Sequence, residues 1–190
     1  MKHPKQTLNT QWTKLAILLI LFTAFALQTA TLTQQSLWFD EVMALDYTKG
    51  GLIDTIRKIV QPHHNGPLFY LLLFVWRRLV GDSDFAVRYL SVLCATLTVP
   101  LLYQWTRKLL TDRSAVTAAC LFVCSPFVLW FAQETKMYAL HMLVAVASSL
   151  ALLVAFRKGG WWRWLIYAAL VSTVLYSHFF GACLVATQAA

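Results

Sequence analysis

The sequence predicts an all-α polytopic membrane protein, and three observations carry that prediction. Of 190 residues, 59% are hydrophobic and only 13% are charged, whereas an average soluble domain is about 25% charged. Apolar stretches of about 20 residues, the length that crosses a bilayer, recur along the chain. The formal net charge of +8 reports the positive-inside bias of such proteins rather than a nucleic-acid partner. A soluble enzyme, a disordered tail and a secreted disulfide scaffold are excluded on the same grounds.

About five transmembrane helices are expected, at residues 15–33, 85–106, 114–132, 137–156 and 164–186. The first follows Lys2, Lys5 and Lys14 and lacks a small-residue cleavage site, so it reads as an uncleaved span. Pro67–Val80 is also apolar, but it has 14 residues and contains Arg77 and Arg78. It is assigned as an interfacial helix. Leu52, Ile53, Ile56, Ile59 and Val60 recur at helical spacing opposite Asp54, Arg57 and Lys58, which predicts a second interfacial helix at about 51–60. Both belong to a long outer loop, residues 34–84.

Charge fixes the parity. With five spans and the N-terminus inside, the inner segments 1–14, 107–113 and 157–163 contain nine basic residues: Lys2, Lys5, Lys14, Arg107, Lys108, Arg113, Arg157, Lys158 and Arg163. Their single acid is Asp112. The outer segments balance, so the whole net charge lies inside. Cys94, Cys120, Cys124 and Cys183 all sit in apolar runs and read as packing residues. The last span ends at Gln188-Ala189-Ala190 without a polar tail. The chain is therefore expected to be the N-terminal portion of something longer.

Ionisable residues gather on the outer side. Trp38-Phe39-Asp40-Glu41 puts two carboxylates just after the first span. They read either as a helix N-terminal pair favoured by the macrodipole or as a general base activated by an apolar surface. His63 and His64 occupy a bend bounded by prolines. Beyond simple solvation, they suit phosphate when protonated or a metal when neutral. Glu134 and Lys136 stand in the tight turn between the third and fourth spans, followed by Tyr138. Ionisable groups at that depth are functional or paired with each other. His178 lies near the outer end of the fifth span, and Arg88, four residues into the second, could snorkel or bind an anionic headgroup. A transporter would hold such groups near the midplane. Their common face suits an enzyme whose substrate rises from the lipid.

These segments resemble the GT-C glycosyltransferases, and more closely the family 39 group related to dolichyl-phosphate-mannose–protein mannosyltransferases. Trp38-Phe39-Asp40-Glu41 is similar to the first-loop acidic motif, and His63-His64-Asn65-Gly66-Pro67-Leu68-Phe69-Tyr70 to a His-x-Pro-Leu-Tyr-Tyr segment. Arg88-Tyr89-Leu90-Ser91, Ser125-Pro126-Phe127, Gln133-Glu134-Thr135-Lys136-Met137-Tyr138 and Tyr176-Ser177-His178-Phe179-Phe180-Gly181 follow in the family's order. Two positions depart from it: Lys136 replaces an Arg, and Asn65-Gly66-Pro67 replaces the commoner Pro-Pro.

The resemblance implies the N-terminal part of a GT-C module that moves a sugar, with inversion, from a polyprenyl-phosphate carrier to a lipid, glycan or protein acceptor. It implies Asp40 as base, Glu41 and Glu134 as further catalytic acids, and His63, His64, Arg88, Lys136, Tyr138 and His178 as substrate- or phosphate-binding residues. A divalent metal ion is a candidate cofactor, with Glu134 and His64 as candidate ligands. Membrane lipids are the other expected partners, and nucleic acid is not one. The expected location is a bacterial inner membrane, with the N-terminus cytoplasmic and the site on the outer face. The alternative is a non-catalytic membrane subunit, or a carrier of polyprenyl-linked material, with the same architecture.

Overall fold

The computed structural model describes residues 10–61 and 65–189. Lys2 and Lys5 lie outside the described residues, and so do His63 and His64. The described residues form ten helices and no strand. They are α1 (Thr10–Ala30), α2 (Phe39–Tyr47), α3 (Leu52–Ile59), α4 (Pro67–Val80), α5 (Asp84–Leu109), α6 (Asp112–Val123), α7 (Pro126–Ala132), α8 (Tyr138–Lys158), α9 (Trp161–Ser177) and α10 (Gly181–Ala189). The chain is an all-α polytopic membrane protein.

Three helices, α1, α5 and α8, are long and apolar enough to cross a membrane unbroken, and α6 with α7 makes a fourth crossing if the bent pair is one span. The bend is 60°. Its cause is local: Pro126, which has no N–H, opens α7 and cannot extend the helical ladder back into α6. Helices α3 and α4 have bounds close to those expected for the two short helical segments of the loop. At 14 residues α4 is about 21 Å long, too short to span.

The predicted fifth span, 164–186, is corrected. α9 ends at Ser177, and the chain reverses through His178–Phe180 into α10. Tyr167 in α9 donates to Gln188 Oε1 at 3.1 Å, which is possible only if α10 runs back alongside α9. Gln188 Nε2 then donates to Ser148 and Ser149 in α8, at 3.1 and 3.0 Å. These bonds meet the polar needs of half-buried side chains in an apolar setting. α9 has 17 residues, about 26 Å, near the minimum for a crossing.

α5 is the central post, with α1, α4, α6, α7 and α8 packed around it. One core joins α4, α5, α8 and α9 through Phe69, Tyr70, Leu73, Val87, Leu140, Val144 and Val174. A second joins α1, α5 and α6 through Ala24, Val99, Ala119 and Val123. Small residues at these crossings let the helix backbones approach closely. The ends of α1, α7 and α9 and the starts of α5 and α8 meet at one end of the bundle, and α2–α4 cover that end.

Candidate active site

The site is built around one buried ion pair. Glu41, at the third position of α2, turns back so that its Oε2 accepts from the Trp38 N–H at 3.0 Å, half of a capping box. That rotation buries the carboxylate against Arg88 on the first turns of α5. Arg88 Nε donates to Glu41 Oε1 at 2.9 Å and Nη2 to Oε2 at 2.7 Å. The remaining guanidinium bonds go to the carbonyls of Leu32 and Gln35, both at 2.8 Å, and Ser36 at 3.1 Å.

Arginine has five N–H donors, and all five are used. Arg88 therefore has no donor left for a phosphate, and its expected role as an anion ligand gives way to holding the α1–α2 linker. Glu41 is similarly occupied, since its Oε1 also accepts from the Thr135 N–H at 2.8 Å. Burial alone would raise the Glu41 carboxyl. The Arg88 hydrogen bonds, the Trp38 and Thr135 N–H groups and the guanidinium charge outweigh burial and hold it below the ordinary carboxylate range.

This clamp orients the groups that remain free. With Glu41 turned inward, its neighbour Asp40 faces outward and is 67% exposed. With Thr135 bound to Glu41, the next residue, Lys136, brings Nζ to 3.5 Å from Asp40 Oδ2. Lys136 is only 12% exposed. A mostly sheltered ammonium thus stands beside an open carboxylate.

Two clefts share that pair. One, of about 370 Å³, is lined by Trp38, Phe39, Phe131, Glu134 and Tyr138 together with Asp40, Glu41 and Lys136. The other, of about 340 Å³, is lined by Phe39, Met43, Tyr47, Asn65, Tyr70 and Met137 together with Asp40 and Lys136. Burial, then the nearby Tyr47, Asp40 and Tyr138, push the Tyr70 phenol up to about 12, so it stays protonated. In the first cleft, Glu134 accepts from Trp130 Nε1 at 2.6 Å. Its carboxyl is raised by burial and by the Glu41 and Asp40 charges, against the lowering pull of Trp130 and Lys136.

The structure thus brings together Asp40, Glu41, Glu134, Lys136 and Tyr138. His178 stands behind Tyr138, with ring centroids 5.8 Å apart, and its Nδ1 accepts from the Phe180 N–H at 3.1 Å. It lines neither cleft. His141 was not among the expected site residues, yet its Nδ1 is 2.8 Å from Ser177 Oγ and its ring is 5.4 Å from His178. Reasoning from sequence also missed Trp130. Its position four residues before Glu134 was the available signal, although α7 ends at Ala132 and only the structure shows the two side chains meeting. Among the described residues, no three His, Cys, Asp or Glu side chains converge to hold a metal ion. His64, the expected co-ligand of Glu134, lies outside the described residues.

A bundle of apolar helices with a carboxylate–ammonium pair between two clefts at one end defines a polytopic membrane protein whose ionisable groups gather at that end. A family model described as dolichyl-phosphate-mannose-protein mannosyltransferase matches residues 63–190, about two thirds of the chain. The chain belongs to that family, whose members are membrane glycosyltransferases using polyprenyl-phosphate sugar donors. Arg88, Glu134, Lys136, Tyr138 and His178 fall inside the matched segment, whereas Asp40 and Glu41 precede it. Comparisons with curated proteins and with solved structures gave no match.

Proposed function

We propose that this chain carries the site at which a sugar passes, with inversion, from a polyprenyl-phosphate carrier to a hydroxyl of a lipid, glycan or protein acceptor. The observation that carries the reading is the Asp40–Lys136 pair, 3.5 Å apart and lining both clefts. Transfer needs a base on the acceptor side and a cation on the leaving-phosphate side, so the Asp40–Lys136 contact opens as the reacting carbon and its entering and leaving oxygens come between them. Asp40 takes the proton from the acceptor hydroxyl. The resulting oxygen attacks the anomeric carbon from the face opposite the phosphate. The bond from that carbon to the phosphate oxygen breaks, and its electron pair leaves with the phosphate, beside Lys136. Glu41 and Arg88, saturated by their own hydrogen bonds, act as positioning residues for Asp40 and for the loop that contains Lys136.

The orientation belongs to the same proposal. The end of the bundle away from the clefts has Arg107, Lys108, Arg113, Arg157, Lys158 and Arg163, and Arg157 ties α8 to α5 there by donating to the Lys108 carbonyl at 2.8 Å. The positive-inside rule puts that end in the cytoplasm of a bacterial cell and the clefts on the outer face of the inner membrane.

Asp40→Asn tests the chemistry. Asparagine keeps the shape and cannot take the proton, and a positioned base contributes about 10²–10⁴-fold in rate. Transfer from a polyprenyl-phosphate sugar, measured on membranes normalised for protein, should fall by at least about two orders of magnitude at unchanged abundance. Near-normal turnover would remove Asp40 as the base. It would leave the non-catalytic subunit as the better reading unless Glu134→Gln abolished transfer instead.

A further inference from the structure

At the end of the bundle away from the clefts, α8 closes on Phe156-Arg157-Lys158 and α9 opens on Trp161-Trp162-Arg163. Gly159 and Gly160, both at positive φ, turn the chain between them. The last turn of α8 therefore lies beside the first turn of α9. Two arginines hold this corner. Arg163 Nη1 donates to the Gly159 carbonyl at 2.6 Å and to the Lys158 carbonyl at 3.3 Å, and its guanidinium lies 4.3 Å from the Trp162 ring centroid. Arg157 Nη1 donates to the Lys108 carbonyl near the end of α5.

Cations at helix C-termini commonly do no more than meet free carbonyls and the dipole. Here one nitrogen of each arginine meets those carbonyls, and a surplus of donors remains. Among the described residues, the other guanidinium nitrogens, the Lys108 and Lys158 ammonium groups and the Trp161 and Trp162 indole N–H groups have no acceptor. The acid at this end, Asp112, is taken by Arg107, whose Nε donates to Oδ1 at 2.6 Å. By contrast, the Trp76 and Trp130 N–H groups are met inside the protein, by the Ala86 carbonyl and by Glu134.

The complement of a donor-only, cationic surface is an anion made of acceptors. An apolar face adjoins it, since Trp161, Leu165 and Ile166 along α9 are 74%, 58% and 47% exposed. A soluble anion would use the donors and leave that face bare. A phospholipid uses both, with its phosphodiester among the cations and indoles and its acyl chains along α9. We propose that the α8–α9 corner, with Lys108 beside it, binds an anionic phospholipid of the leaflet at this end. The excess positive charge selects a net negative headgroup over a zwitterionic one, whose own ammonium would face the same cations. The site lies at the opposite end of the bundle from Asp40, so the proposal stands apart from the transferase reading.

The test uses the full chain purified in detergent, with phosphatidylglycerol as the anionic probe and phosphatidylcholine as the zwitterionic one. Native mass spectrometry counts the bound lipid and gives its affinity. Phosphatidylglycerol should bind more tightly. Lys158→Gln and Lys108→Gln should each weaken it about fivefold and leave phosphatidylcholine nearly unchanged. Neither ammonium is bonded to another described residue, so both variants should keep the melting temperature of the unmodified protein. Lys49→Gln, which removes one charge from the other end of the bundle, should bind both lipids as the unmodified protein does. Equal affinity of the unmodified protein for the two lipids would overturn the proposal. A loss in Lys49→Gln as large as that in Lys158→Gln would also overturn it, by reducing the preference to net charge. So would displacement of the bound lipid by glycerol 3-phosphate, which has the phosphate without acyl chains, because the corner would then be reading a soluble anion.

Discussion

At Lys136 the side chain is sheltered and its charge faces one exposed carboxylate, so its contribution is electrostatic and aimed at the cleft. Lys136→Ala should reduce transfer far more than Lys136→Arg, which keeps the charge and adds a planar fork suited to phosphate. If the pair with Asp40 were only structural, exchanging the two residues would preserve activity; an active Asp40→Lys, Lys136→Asp double variant would end the catalytic reading. Glu41 and Arg88 make a different prediction. Both are almost fully buried, and removing one member of such a pair costs about 3–5 kcal/mol. Arg88→Ala and Glu41→Gln should therefore lower the melting temperature in detergent and the abundance in membranes. The pH dependence follows from the sign of the shift. The folded Glu41 pKa lies below its unfolded value, so the pair stabilises fully above the ordinary glutamate range, about 4.3. That stability is lost as pH falls through the folded value. Melting curves should show a drop on the acid side that is missing in Glu41→Gln.

At the scale of elements, the turn before α4 is the most tightly constrained. Gly66 has φ +75°, and a Cβ there would lie 2.8 Å from both Met137 Cγ and the Ser177 carbonyl oxygen. It is the point where the loop after α3 rests on α8 and α9, helped by the Phe179 N–H donating to Asn65 Oδ1 at 2.9 Å. Gly81 has φ +91° but open space around it, which makes it an internal control. Alanine at either position incurs backbone strain of about 1–3 kcal/mol, and only Gly66→Ala adds the clash. It should melt clearly below Gly81→Ala. The sequence made α3, α4 and the unbroken spans legible, because period and length are local signals. The breaks at Cys124-Ser125 and His178–Phe180 were not legible. Both sit inside continuous apolar runs, so hydropathy stays high across them, and the signs that mark them are single residues: Pro126, and Gly181 packed on the Val174 carbonyl.

For the whole molecule, the sequence gathered Asp40, Glu41, Glu134 and Lys136 on one face, and the fold places them within one cluster. Which of them remain free could not be read in advance. That depended on hydrogen bonds over long separations, such as Arg88 to Leu32 and Thr135 to Glu41. The topology itself is open to labelling. With the native cysteines replaced, a cysteine placed among residues 157–163 should be protected from an impermeant thiol reagent in intact cells, and one near Asn65 should react. Cys120, Cys124 and Cys183 must be removed first, because the fold leaves them on the bundle surface. Labelling at both new positions would overturn the proposed orientation and reopen α4 as a crossing.

The Glu41–Arg88 clamp also has a timetable. Its parts leave the ribosome in order: the Leu32 carbonyl and Glu41 first, Arg88 47 residues after Glu41, and the Thr135 N–H 94 residues after it. At about 5–20 residues per second, the last donor arrives roughly 5–20 s after the carboxylate it must meet. Glu41 reaches the membrane surface unpaired and is neutralised when the start of α5 emerges. Asp40 and Lys136 can face each other only after the turn before α8 has been made. A nascent chain that stalls between these points displays Asp40 without its counter-charge.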